Sequence, residues 1–554
     1  MRCYIVRLAE LAEKRGAAIV APVLRALSER PPQSFHEALQ LAYLYHEVQE
    51  IEGELVRSMG CFDRLYIDFY RRDIASGALT REEAKELLKF FWIKFYAKTQ
   101  GLQAGKNFCF GGLLPDGSDA VNELTVLAYE TYRELGGVDP KLTMRVHSGS
   151  ARAMLRQVAD CLKGGLTATV FMNDDVLFPL FLKRGKTPED VYDYVAIGCY
   201  EPAIMGREMC CSMTIIFNLA KVLELLLHGG GDPATGIRLF DVHEGELTDF
   251  DAFFTAYLDA LKLLLKRAMH IERLRTAMWS RVNPSPLLSG TMADCIASGR
   301  DVSEAGTKYN QSGIMCAGIG TLADSLFAVK RLVFEEKRCT LPELAAVLRS
   351  DWAGHEELRL YAKMRLPKWG NNLEGPDGLA RRVTDFAAEL INHEPNGKNG
   401  TFQMGLWSID NNRLFGKKTG ALPDGSRAGE ELSKNTGASA GLDRRGVTAL
   451  INSVAKLDHT GFADGSVLDI TLHPSAVSGP DGAELIVDLV RTFFARGGQS
   501  VQFNIFDAET LRRAQREPEK YANLQVRVCG WNARFIDLSA EAQEAFIAAA
   551  GGEA

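Results

Sequence analysis

Capped amphipathic helices alternate with short strand-forming runs along the whole chain, and no internal repeat or disordered linker interrupts them. Strands interleaved with helices over such a length argue for an α/β fold, in one large barrel. The helix starts are written in capping residues. Ser34-Phe-His-Glu37 opens the apolar run Ala38, Leu39, Leu41, Ala42 and Leu44, and Thr80-Arg-Glu-Glu83 opens Leu87, Leu88, Phe90, Phe91, Ile93 and Phe95. In both, the first side chain caps an early N–H and the glutamate reaches back. Thr187-Pro188-Glu189-Asp190 predicts a helix with proline in its first position and acids in its first turn. Thr340-Leu-Pro-Glu343 repeats the logic before Leu344 to Leu348. Strands are expected at Lys141 to His147, Val467 to Leu472, Val501 to Phe506 and Leu524 to Val528. The part before residue 230 is otherwise expected to be mainly helical. Asn392 to Gly441, rich in Gly, Asn, Lys and Asp, is the most loop-like stretch. It suggests a division into 1–425 and 426–554.

A chain of 554 residues buries a sizeable core without disulfides or metals. Its formal net charge of −7 argues against a general nucleic-acid or membrane-surface binder. No apolar run approaches the roughly 18 residues that a membrane helix needs. Arg7, Glu10, Glu13, Lys14 and Arg15 interrupt the N-terminus too early for a signal-peptide core, so a cytoplasmic location is expected. The 11 cysteines are scattered and none forms a Cys-x-x-Cys pair, which leaves a zinc ribbon or thioredoxin-type site without support.

Two short stretches carry chemistry. The first is Gly198-Cys199-Tyr200-Glu201-Pro202. On an extended backbone, residues 199 and 201 point to the same side, so a thiol and a carboxyl would share one pocket wall. The second is Arg527-Val528-Cys529-Gly530-Trp531-Asn532-Ala533-Arg534-Phe535, where a strand leads into a glycine. Read alone, the first is a buried cysteine beside a surface glutamate and the second a tight turn flanked by core aromatics.

Together the two stretches resemble the glycyl radical enzymes, relatives of pyruvate formate-lyase and the radical dehydratases. The family's pattern around its radical glycine, R-V-x-G-aromatic-x-x-x-F, is matched by Arg527, Val528, Gly530, Trp531 and Phe535. Tyrosine is the commoner aromatic, so Trp531 is a mild departure. Gly198 to Pro202 looks like the thiyl loop of the dehydratase and lyase branch, with Tyr200 where most members have valine. Asn173-Asp174-Asp175, Lys308-Tyr309-Asn310, Ala323-Asp324-Ser325, Pro367 to Asn371, Ala421 to Gly425 and Val501 to Asn504 also look like recurring family segments. Many relatives carry a long additional N-terminal region. This chain starts where that region would be ending, as a compact variant or a truncated sequence would.

The resemblance implies a barrel of two antiparallel half-barrels surrounded by helices. It implies Gly530 as the radical store, Cys199 as the thiyl relay and Glu201 as a base. A glycine α-carbon radical is delocalised over the flanking amide nitrogen and carbonyl, and without a Cβ the centre can flatten. A cysteine relays the radical because S–H and activated C–H bonds are close in strength. The fold would bring the two loops tip to tip, and burial would raise the Glu201 pKa toward neutrality. No bound metal or organic cofactor is implied. A separate radical S-adenosylmethionine activating enzyme would install the radical, and a homodimer acting on a small-molecule substrate is expected.

The reaction expected is elimination of water or another leaving group from a small polar substrate. Rivals are an arylacetate decarboxylase, a C–N or C–S lyase, a pyruvate formate-lyase-type acetyltransferase, and a silent truncated paralogue that binds an activase or partner. Cys210-Cys211 resembles the cysteine pair of pyruvate formate-lyase only superficially. That pair falls on Gly198 and Cys199, which argues against pyruvate cleavage. Cys529 sits at a variable position of the motif. His147 is expected to be structural, and Asp174 and Asp175 either line the pocket or cap the following helix.

Overall fold

The computed structural model describes residues 1–53, 56–99, 106–242, 247–528 and 530–551. Thirteen strands are found among them: β1 Arg57–Cys61, β2 Lys106–Gly111, β3 Lys141–Val146, β4 Thr169–Asn173, β5 Tyr194–Ile197, β6 Glu201–Ile204, β7 Glu208–Asn218, β8 Tyr309–Ala317, β9 Phe402–Leu406, β10 Leu468–Leu472, β11 Ser500–Ile505, β12 Gln525–Arg527 and β13 Asn532–Arg534. All four expected strands form. Of the expected caps, Thr80 and Thr340 each exchange two hydrogen bonds with the glutamate three residues on. Ser34 caps the Glu37 N–H, while the Glu37 carboxyl turns away to Arg30 and the Gln33 N–H.

The strands build two halves that run in opposite directions. β1, β2, β3 and β4 are parallel neighbours. β4 then pairs antiparallel with β11, and β11 pairs parallel with β10. β7, β8 and β9 form a second parallel sheet. A parallel bridge between Leu406 and Ser466 carries the order from β9 to the start of β10. The path is therefore β1-β2-β3-β4 and, reversed, β11-β10-β9-β8-β7. Among the described residues no ladder joins β1 to β7. The β5–β6 hairpin lies there instead, packed on β1 and β2 with β6 beside β7. The arrangement is that of two antiparallel half-barrels wrapped by helices.

The polarity of this barrel is inverted. Leu142, Met144 and Val146 of β3 belong to the main apolar core, whereas Lys141, Thr143 and Arg145 turn inward and are just as buried. Strand alternation is kept, but its polar face looks into the barrel. The part before residue 230 holds seven strands besides its helices. Runs such as Arg57-Ser-Met-Gly-Cys61 are too short and too mixed to show a period. The loop-like Asn392 to Gly441 contains β9, which pairs with β8. Its Gly and Asn residues serve turns such as Gly397 and Asn399, both at positive φ. No helix among the described residues is long and apolar enough to cross a membrane.

One buried ion pair fixes the inside of the barrel. Arg145 and Asp174 are fully buried and joined at 3.0 and 3.2 Å. Asp174 opens the helix Asp174–Lys183, capped by Asn173. Removing one member of a buried pair leaves the other charge uncompensated, so Asp174→Ala is expected to destabilise the fold by about 3–5 kcal/mol. Denaturant unfolding measures this, and an unchanged midpoint would remove the pair from the fold's foundation.

Candidate active site

The β5–β6 hairpin carries Cys199 at its tip. Ile197 pairs with Glu201, which leaves Gly198-Cys199-Tyr200 as a three-residue turn. Gly198 has φ +57°, and a Cβ there would lie 2.5 Å from Val56 Cγ1. The helix expected from Thr187 is only a turn followed by a 3₁₀ turn, Val191–Asp193. The Asp190 carboxylate is drawn instead to Lys308 Nζ (2.6 Å) and the Tyr309 hydroxyl (2.7 Å), and the chain leaves directly into β5. Arg145 Nη1 donates to the carbonyls of Tyr192 (2.8 Å) and Tyr194 (3.1 Å), pinning the hairpin's root. Asn107 of β2, itself oriented by Thr143, donates to the Gly198 carbonyl at 3.2 Å and holds the tip.

The backbone at Cys199 is a turn rather than extended, yet the Glu201 carboxyl still returns to it. Glu201 Oε2 accepts the N–H groups of Cys199 (2.8 Å) and Tyr200 (2.6 Å), and Oε1 accepts the Ser212 hydroxyl (2.8 Å). Burial raises the Glu201 pKa, and these hydrogen bonds work against that rise.

A second hairpin, β12–β13, approaches from the opposite end. Its turn is closed by Val528 N–H donating to the Trp531 carbonyl, and it carries Gly530 at φ +71°. Arg527 is fully buried and ties the hairpin to the barrel. Its Nε donates to Gln502 Oε1 (2.7 Å) and Nη1 to the Ala168 carbonyl (3.0 Å), while its backbone and the Asn504 amide exchange two hydrogen bonds. Asn532 reaches Thr167 Oγ1 at 3.0 Å. Cys529 lies outside the described residues.

The two tips meet in van der Waals contact. A Cβ built on Gly530 would fall 2.4 Å from both Cβ and Sγ of Cys199, and 3.2 Å from Tyr200 Cζ. The Gly530 hydrogen in the L-side-chain direction therefore faces the sulfur. Burial pushes the Cys199 thiol pKa up, so it keeps its proton. Lys141 Nζ, 3.8 Å from Sγ, acts in the other direction.

Comparison with known proteins agrees with this geometry. A family model described as pyruvate formate lyase-like matches residues 5–416, and one described as glycine radical matches residues 432–536. The chain belongs to the glycyl radical enzyme family. It is 34% identical to the probable dehydratase YbiW of Escherichia coli (strain K12), over 94% of this chain and 68% of that protein. It is 31% identical to the isethionate sulfite-lyase of Nitratidesulfovibrio vulgaris, over 97% of this chain and 67% of that protein. The glycerol-bound B12-independent glycerol dehydratase of Clostridium butyricum superposes with a TM-score of 0.93 at 32% identity, covering 99% of this chain and 72% of that one.

The structure also places the remaining residues singled out in the sequence. Tyr200 is fully buried, its hydroxyl donating to Gln502 Oε1 (3.1 Å) and its ring set edge-on to Trp407. Asp175 accepts the Ser148 N–H, and His147 Nδ1 accepts the Gly149 N–H. Cys210 accepts from Gln311 and Cys211 from Lys398, on β7 rather than at the tip. Sequence reasoning missed Lys141, Asn107, Ser212 and Gln502. The strand from Lys141 to His147 alternates Leu142, Met144 and Val146 with Thr143, Arg145 and His147, but nothing in that pattern says that the polar face looks inward.

The contact at Gly530 leaves no room for a side chain. Gly530→Ala must displace the C-terminal hairpin and strain a positive φ, at about 1–3 kcal/mol. Cys199→Gly in the same chain removes both clashing atoms, so the double variant should recover part of that loss in unfolding experiments. Strict additivity of the two changes would mean that the tips do not touch.

Proposed function

We propose that the protein is a glycyl radical lyase in which Gly530 stores the radical, Cys199 relays it and Glu201 is the base. The contact between Gly530 and Cys199 carries this reading. The Gly530 radical takes hydrogen from the Cys199 thiol and leaves a thiyl. The thiyl removes a hydrogen atom from a hydroxyl-bearing substrate carbon, and the thiol re-forms. Glu201 takes the hydroxyl proton, the neighbouring carbon–leaving-group bond breaks, and the radical moves to that neighbouring carbon. Cys199 returns its hydrogen there, giving a carbonyl product and a new thiyl. Burial supports the cycle by keeping the thiol protonated, by raising the basicity of Glu201 and by excluding water and oxygen.

The relatives' names span dehydratases and a sulfite-lyase, so the leaving group is water or another group on a small polar substrate. The radical is installed by a separate radical S-adenosylmethionine activating enzyme, and the working protein is a homodimer. The two regions matched by family models support a functional division near 425, with 1–425 holding the thiyl loop and 426–554 the radical glycine. It is not a division of packing, because β10 and β11 complete the barrel.

Anaerobic activation should give an electron paramagnetic resonance doublet from one α-hydrogen, absent in Gly530→Ala, and air should then cleave the chain at residue 530. Cys199→Ser should form the same doublet and turn over nothing. Persistence of the doublet in Gly530→Ala, or turnover by Cys199→Ser, would overturn the assignments.

Glu201→Gln should carry the radical normally and lose about a hundredfold or more in turnover. Coenzyme A-dependent release of formate from pyruvate, with Glu201→Gln near wild type, would favour an acyltransferase instead.

A further inference from the structure

Asp464, just before β10, is wholly buried, and neither carboxyl oxygen has a hydrogen-bond partner. Its backbone is clamped: its N–H donates to the Met404 carbonyl (2.9 Å), and its carbonyl accepts from Trp407 Nε1 (3.0 Å). The carboxyl lies across Gly313 of β8, where a Cβ would fall 2.1 Å from Oδ2. Only glycine leaves it that space. Two residues further along β8, Met315 packs in one cluster with Cys199 and Tyr200, so Gly313 lies on the face that looks at the thiyl hairpin. The next residue, Gly465, is pressed against that hairpin. A Cβ on it would sit 2.8 Å from the Tyr200 carbonyl oxygen and 3.5 Å from Glu201 Cα. Gln311 Oε1, two residues before Gly313, is another buried acceptor without a donor.

We propose that Asp464 is a second catalytic carboxyl of this site, sharing one proton with Glu201 and delivering it to the leaving group. This rests on the lyase reading above. Glu201 accepts three hydrogen bonds and is the member stabilised as an anion; Asp464 accepts none and holds the proton. Burial, then the nearby Glu201, raises the Asp464 pKa well above its ordinary value. The Met213 N–H lies near enough to temper that rise without reaching hydrogen-bond geometry. The other groups near Asp464 are Glu208 and Cys210 of β7 and Cys316 of β8. Glu208 is paired with Lys186, and burial keeps both thiols protonated. None of these supplies a cation directly to Asp464.

The step balances. In the substrate radical, Glu201 takes the proton of the hydroxyl on the radical carbon, whose oxygen becomes a carbonyl. The neighbouring C–O bond breaks, its electron pair leaves with the oxygen, and the Asp464 proton converts the departing hydroxide to water. The pair begins and ends with one proton, so passing it back from Glu201 to Asp464 resets the site without bulk solvent.

The test compares wild type with Asp464→Asn and with Gly313→Ala, which drives the carboxyl from its place. Infrared difference spectra of the unactivated protein at neutral pH should show a protonated-carboxyl C=O stretch that Asp464→Asn removes. After activation, both variants should give the glycyl doublet, which reports an intact fold. With propane-1,2-diol or glycerol, turnover should fall about a hundredfold or more in Asp464→Asn. An acid must be protonated to act, so the wild-type rate should drop as pH rises through the upper titration of the pair, and Asp464→Asn should lose that limb. An unchanged infrared band, or turnover within threefold of wild type, overturns the proposal. A wild type that carries the radical but converts neither diol defeats the dehydration reading instead, and the infrared comparison then decides Asp464 by itself.

Discussion

Arg145 carries a full positive charge where no solvent reaches, and its guanidinium is spent on one task. Two of its nitrogens clasp Asp174, and the third holds the two carbonyls from which the β5–β6 hairpin departs. The Tyr194 hydroxyl completes the knot by donating to Asp174 at 2.5 Å. A charge buried in this way is tolerated only with its partners in place, so the hairpin root has one position. Cys199 hangs from that root by four residues of strand and a turn. A thiol that must touch a backbone atom of a distant segment needs such a fixed origin, because a misplacement of an ångström breaks the contact.

The second requirement is that the other tip arrive without a side chain. Gly530 meets it by what it lacks: any Cβ would occupy the space of Cys199. Gln502 then couples the two hairpins, since its Oε1 accepts from the Tyr200 hydroxyl of one and from Arg527 Nε of the other. Its amide donates in turn to Asp469 of β10. The carbonyl oxygen thus accepts from both hairpins at once. The buried Arg527 donates to the neutral Gln502 amide and to the Ala168 carbonyl, which ties its low-dielectric position to the same hub. Val526, Val528, Ala533, Phe535, Leu511 and Ile547 pack in a small core of their own behind the C-terminal hairpin.

Much of this was legible in the sequence, and the remainder was hidden for physical reasons. The two motifs, more than three hundred residues apart, could be joined because each is a short local pattern with distinctive residue types. Strands β3, β10, β11 and β12 showed themselves through alternation or β-branched runs. β1 and β9 did not, being short and buried on mixed faces. Thr187 to Asp190 carries every local sign of a helix start, yet Lys308 and Tyr309 capture Asp190, and tertiary contacts override propensity there. The polar interior was least legible. Polar alternation ordinarily marks a solvent face, and only the wrapping of the two half-barrels around the hairpins turns that face inward.

Asp464 shows why that last limit matters for mechanism. A single aspartate before a glycine reads as a turn, and its meaning comes from Gly313, a residue of another strand that leaves room for its carboxyl. Elimination needs a proton removed at one atom and supplied at the next, and one carboxyl can do both only by turning around within the substrate's lifetime. Two carboxyls, one for each transfer, need no such turn. The hydrogen-bond inequality between them sets the direction of transfer before substrate arrives: Glu201 is dressed as the anion by two backbone N–H groups and a serine, while Asp464 is left bare in a place where only its neutral form is cheap. The glycines at 313 and 465 are therefore places of close approach, as Gly530 is. The first makes room for the Asp464 carboxyl, and the second lets the chain beside it press against the Tyr200 carbonyl and Glu201 Cα.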